Sequence, residues 1–116
     1  MDHRKLGLRV YATAADYPAA FMLTERLIAA LLLVAEVREC RVYPYWKFED
    51  QFGLWLELAS PDQSAAFEAV KALAAPAWEA AGGPEDRDEI WDRTTHGGAA
   101  ILAEATWMHL NLWDEA

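Results

Sequence analysis

The side chains best able to do chemistry stand at alternate positions near the C-terminus: Trp107, His109, Asn111 and Trp113, within residues 106–113. Successive side chains of a strand point to opposite faces. These four therefore share one face, and Thr106, Met108, Leu110 and Leu112 share the other. A histidine on a polar, aromatic face can act as a base when a carboxylate orients it, and Glu57 is the expected orienting carboxylate if the two strands are neighbours. A hydrogen-bonded structural histidine fits the same pattern. His96 lies in the turn Thr94-Thr95-His96-Gly97-Gly98, whose glycines serve the backbone, and His3 lies beside the terminus. Cys40 precedes a strand with apolar positions and reads as a small core residue, not a nucleophile. The chain has no Cys-x-x-Cys, no His-Glu-x-x-His and no phosphate-cradling glycine loop. No catalytic residue, cofactor or metal site is expected from motifs.

Charge narrows the partners. The 116 residues carry 19 acidic and 10 basic side chains, a net charge of -9. Binding to nucleic acid or an anionic membrane is driven by Lys and Arg, so neither is expected, whereas a basic protein would be attracted. A single cysteine excludes an intrachain disulfide, and the first residues, Met1-Asp2-His3-Arg4-Lys5, lack the pattern of a signal peptide. The expected compartment is the cytoplasm.

The elements that position the histidine face follow from periodicity. Leu6, Leu8, Val10 and Ala12 alternate with Gly7, Arg9, Tyr11 and Thr13, which predicts a half-buried strand. Asp16 caps a helix with Pro18 in its first turn, running to about Val37 and apolar on every side in its second half. Its apolar run is too short for a membrane span of about 20 residues. Residues 41–49 and 52–59 read as a hairpin turning near residues 49–53. Val42, Pro44, Trp46 and Phe48 are expected on one side and Arg41, Tyr43, Tyr45 and Lys47 on the reverse, with Pro44 placing the strand at an edge or bulge.

Ser60-Pro61-Asp62-Gln63 predicts a helix start with Ser60 as cap. Phe67, Val70, Leu73 and Trp78 form its stripe, Pro76 is expected to kink it, and Gly82-Gly83 to end it. Residues 84–89 read as a solvated acidic loop, and residues 90–93 as a short strand. The chain then returns to residues 106–113, with a bulge expected near Glu104-Ala105.

These elements predict one α+β domain over residues 1–116: a ferredoxin-like (split βαβ) antiparallel sheet with two helices on one face and an extra C-terminal β-hairpin-like segment. The other face should carry Arg9, Tyr11, Tyr43, Tyr45, Lys47, Trp55, Glu57, Trp107, His109, Asn111 and Trp113. Residues 90–103 or a second copy of the chain would make that face interior if either folded over it.

The α/β layout, the acidity, and a tail running from Ile90-Trp91-Asp92-Arg93 through Gly97-Gly98 to Ala105-Thr106-Trp107 resemble the small acidic immunity proteins of bacterial polymorphic-toxin systems. The resemblance implies a cytoplasmic, non-enzymatic protein that neutralises a cognate toxin, often by occupying a basic cleft. The expected partner-binding residues are Trp55, Glu57, Trp107, His109 and Trp113 on the sheet face, with Glu49, Asp50, Trp91 and Asp92 from loops. The alternative is a small-ligand-binding or homodimeric sheet protein that uses the same aromatic face.

Overall fold

The computed structural model describes residues 4–74, 78–81, 87–97 and 100–114. The elements are β1 (Lys5–Thr13), α1 (Tyr17–Leu31), β2 (Glu36–Pro44), β3 (Gln51–Ala59), α2 (Gln63–Ala72), β4 (Glu79–Ala80), β5 (Arg87–Asp92) and β6 (Ala105–Trp113). They build an α+β fold with one antiparallel six-stranded sheet in the order β2-β3-β1-β6-β5-β4. The first four in that order make the split βαβ arrangement. β5 and the two-residue β4 extend it beyond β6.

The alternating residues of β1 work as expected. Leu6, Leu8 and Val10 are fully buried, as are Leu54 and Leu56 of β3 and Met108 and Leu110 of β6, which face them in register. Leu27 and Leu31 of α1 and Phe67 and Val70 of α2 close the same core. At roughly 25 cal/mol per Å² of apolar surface, this one face supplies most of the drive to fold.

Asp16 caps α1 by accepting the Ala19 N–H at 2.9 Å. The helix stops at Leu31, short of Val37, because pairing of Glu36 and Val37 with Ala59 and Leu58 draws those residues into β2. The second half of the helix is not buried all round. Leu32 and Leu33 point to solvent in the turn that follows. The second helix starts at Gln63 with Asp62 as its cap, accepting the Ala65 N–H at 3.0 Å; Ser60 instead accepts the N–H of Asp62. Trp78 lies beyond the end of this helix and donates its Nε1–H to the Lys71 carbonyl at 3.1 Å. The expected kink at Pro76 and stop at Gly82-Gly83 lie outside the described residues.

Two strand assignments change. β2 spans residues 36–44, not 41–49, so Trp46 and Phe48 leave the sheet and are exposed, Trp46 at 89%. Cys40 is likewise exposed. Pro44 does end an edge strand, where its missing N–H costs no ladder bond, and Glu36, Arg38, Glu39 and Arg41 charge the same edge against further pairing. Arg87, Asp88 and Glu89, expected in a loop, are instead the first half of β5 and pair with Leu112, Asn111 and Leu110.

Among its described residues the tail does not fold over the sheet face. Trp91 and Leu102 are buried in the helix-side core, and Glu104 reaches Arg26 of α1 at 3.1 Å. The bulge expected near Glu104-Ala105 falls between Tyr11 and Ala12 on the β1 side, where Tyr11 pairs with Trp107 and Ala12 with Ala105. Thr106 is the extra residue. It leaves the core side, and its one hydroxyl proton has two acceptors in reach, the Tyr11 carbonyl at 3.2 Å and Gln51 Oε1 at 2.9 Å.

The contrast between Leu110 and Trp46 makes this burial testable by denaturant melts. Leu110→Ala should cost about 2–5 kcal/mol, as large-to-small core changes do. Trp46→Ala should change stability by no more than about 0.5 kcal/mol, as exposed substitutions do.

Candidate functional site

The face away from the helices is ordered in rows across the strands. One row is Glu39, Glu57, Gly7, Asn111 and Asp88; the next is Arg41, Trp55, Arg9, His109 and Ile90; the next is Tyr43, Gly53, Tyr11, Trp107 and Asp92. Of the residues singled out from the sequence, Trp55, Glu57, Trp107, His109 and Trp113 do share this face. None is fully buried.

Two glycines let the rings lie flat. A Cβ at Gly7 would sit 2.1 Å from Cη2 of Trp55, and one at Gly53 would sit 2.3 Å from the Tyr43 ring. Each aromatic covers a gap in a central strand, an arrangement that restores packing lost at a strand glycine. Trp55 then leans toward Trp113 at 6.4 Å and carries the Arg9 guanidinium 5.4 Å from its ring centroid. Tyr11 contacts Tyr43 edge-on, stacks on Tyr45 at 4.1 Å and meets Trp107 at 5.2 Å.

His109 has a carboxylate, but not Glu57. β3 and β6 flank β1 on opposite sides, so Glu57 and His109 are separated by a whole strand. Asp88 of β5 takes that place, with Oδ1 2.6 Å from His109 Nε2 and accepting also from Asn111 Nδ2. A carboxylate only accepts, so Nε2 carries the proton. This is the geometry of an oriented imidazole, yet no hydroxyl or thiol is hydrogen-bonded to the ring among the described residues. The assembly ties β5 to β6. Glu57 lies 4.0 Å from Lys5 Nζ.

Trp91 and Asp92 belong to β5, within the stretch 90–93 expected as a short strand, and both are engaged in contacts of the fold. Trp91 is fully buried and donates Nε1–H to the Gly97 carbonyl at 2.7 Å, so it is withdrawn from any partner. Asp92 Oδ1 accepts from the Thr94 hydroxyl at 2.5 Å and from the Thr94 and Thr95 N–H groups. The Thr94 hydroxyl bond chiefly holds its carboxyl below the usual carboxylate range. His96 Nδ1 accepts the Asp92 N–H at 2.8 Å, which leaves the proton on Nε2, facing Glu79 at 3.0 Å. His96 pins the turn.

Glu49 and Asp50 are exposed in the loop between β2 and β3, beside Trp46 and Phe48. That loop is held to the start of α1 by the Ala14 N–H donating to the Asp50 carbonyl at 3.0 Å. The rings run on without a break: Tyr45 lies 6.1 Å from Trp46 and 5.7 Å from Phe48. Tyr17 and Phe21 are exposed at the start of α1, 5.9 Å apart, with Tyr17 against Phe52. Asp88, Trp46 and Phe48 were missed as site residues. A period-two reading of residues 87–92 would have found Asp88, and a strand end at Pro44 would have freed the two rings.

Among the described residues no three His, Cys, Asp or Glu side chains converge to hold a metal ion, and no helix is long and apolar enough to cross a membrane. No protein-family model matches the chain, and no curated protein or solved structure matches it either.

Burial and a hydrogen bond with Tyr11 push the Tyr43 phenol from 10.0 up to about 12. Because the folded value is raised, its stabilising effect is complete below pH 10 and is lost as pH climbs toward 12. Spectrophotometric titration should show one late tyrosine, absent in Tyr43→Phe.

Proposed function

We propose that this chain is a non-enzymatic protein-binding module, most concretely a cytoplasmic immunity protein that binds and neutralises a cognate bacterial toxin. One observation supports the reading above the others. An unbroken run of rings leads from Trp107 through Tyr11 and Tyr45 to the exposed Trp46 and Phe48. Glu49 and Asp50 border it. Rigid aromatic anchors with a charged rim are the anatomy of a binding hot spot.

The charge gives the partner its sign. With -9 overall, a basic protein is attracted, and charge mainly sets on-rate and specificity while the rings hold the complex. The binding residues in this reading are Trp46, Phe48, Glu49, Asp50, Tyr45 and Trp107, with Trp55, Glu57, His109 and Trp113 farther along the face. Trp91 has no part in it, and Asp92 is engaged in its turn.

The test takes the products of the genes adjacent to this one, among which the reading expects a protein with a toxic C-terminal domain. The purified proteins should form a complex that abolishes toxicity, associating more slowly as salt rises, since screening takes effect beyond roughly 8–10 Å. Trp46→Ala should weaken it by about 2 kcal/mol or more, the loss typical of a hot-spot residue, with no change in melting. Absence of a complex, or undiminished affinity in Trp46→Ala, would contradict the reading.

A further inference from the structure

At the centre of the open face stands a cation with no counter-ion among the described residues. Arg9 lies on β1 between Trp55 and His109. Its Nε is shut off from solvent and has no hydrogen-bond acceptor. The carboxylates around it are engaged elsewhere: Asp88 with His109 and Asn111, Glu57 with Lys5, and Glu39 with Arg41 at 2.6 Å. An acidic chain has thus left one arginine unpaired where desolvation is costly. The two terminal nitrogens are not enclosed in this way, have no hydrogen-bond or ion-pair partner among the described residues, and are the atoms a ligand can reach.

We infer that Arg9 anchors a subsite for a small aromatic monocarboxylate on the open face. This goes beyond the partner-binding reading and does not depend on it.

The chemistry selects the ligand class. Guanidinium is permanently charged and planar, and its fork of N–H donors matches a carboxylate through two parallel hydrogen bonds. With Nε inaccessible, the acid is taken end-on by the two terminal nitrogens. Trp55 already lies under the guanidinium at 5.4 Å, and Tyr43 is close enough for the Arg9 charge to act on its hydroxyl. A ring carried by the acid therefore meets ring surface on the same face, with Tyr11 next along the strand. Partial desolvation by these rings strengthens a charge-assisted bond relative to one in water. A phosphate dianion is a poorer match. Arg41, in the same row, is paired with Glu39, and the net charge of -9 repels a second negative charge.

The probes are benzoate, benzamide, acetate and inorganic phosphate, each titrated into the full chain and followed by NMR, including the Arg9 Nε–H signal. Benzoate should bind saturably and shift that signal. Benzamide should bind about tenfold or more weakly, the ratio expected when a charge-assisted bidentate pair is lost. Arg9→Gln should lose benzoate binding by a similar factor, with its fold checked by a thermal melt. The comparison of acid with amide on the wild-type chain keeps the test decisive if Arg9→Gln does not fold. Equal binding of benzoate and benzamide, or unchanged affinity in a folded Arg9→Gln, overturns the proposal. Acetate or phosphate binding as tightly as benzoate overturns the assignment to an aromatic monocarboxylate.

Discussion

Trp55 lying across Gly7 is the contact on which the open side of the sheet depends. Gly7 sits on β1, the strand paired on both sides by β3 and β6, so any side chain there would stand in the middle of the face. Its absence lets a tryptophan lie flat within 2.1 Å of the position a Cβ would take. The same device recurs one strand over, where Tyr43 covers Gly53. Flat rings leave the face low and aromatic, half-buried without a second layer over it among the described residues. They also make a shelf on which the Arg9 guanidinium rests. Glycine in a strand interior weakens it by entropy and lost packing; here the covering ring returns the packing.

The helix side obeys a different rule at its far end. The two helices cover β3, β1 and β6 with apolar side chains, but β5 lies beyond them, and its inward positions are Arg87, Glu89 and Trp91. Ion pairs take over from apolar packing there. Glu89 is almost wholly buried and meets Lys71 of α2 at 2.9 Å, while Arg87 pairs with Glu68 and lies 4.2 Å over the Phe67 ring. Removing one member of such a buried pair costs more than the pair itself contributes, because the other is left uncompensated. The sheet's extra strand is thus attached to α2 by charge and to β6 by the Asp88, His109 and Asn111 side chains on the reverse.

Much of this was legible in the residues. Period-two alternation placed β1, β3 and β6, and with them the core and nearly every residue of the aromatic face. Asp16 announced the first helix, and Pro44 announced an edge. What failed did so for local reasons. The apolar run after Leu31 looks helical, but strand pairing competes for its last residues and wins. Trp46 and Phe48 continue an alternating pattern past the point where the strand stops, so their exposure was invisible. Arg87, Asp88 and Glu89 look like solvent-loving loop because the side chains that engage them are distant in sequence: Glu68, His109 and Lys71. Of the candidate site, five residues came together on the sheet, Glu49 and Asp50 joined the exposed loop, Trp91 is buried in the core, and Asp92 bonds the turn that follows it.

The most direct test of the account is a double-mutant cycle on Gly7 and Trp55, read by denaturant unfolding. Gly7→Ala alone should destabilise by roughly 1–3 kcal/mol, as overpacking does, because the ring must lift from the strand. In a Trp55→Ala background the same change should be neutral or stabilising, since alanine loses less backbone entropy than glycine and no ring is displaced. The coupling between the two sites is the quantity that reports their contact. If Gly7→Ala has the same effect in both backgrounds, the ring does not rest on the strand, and the flat aromatic face that positions Arg9 is not there.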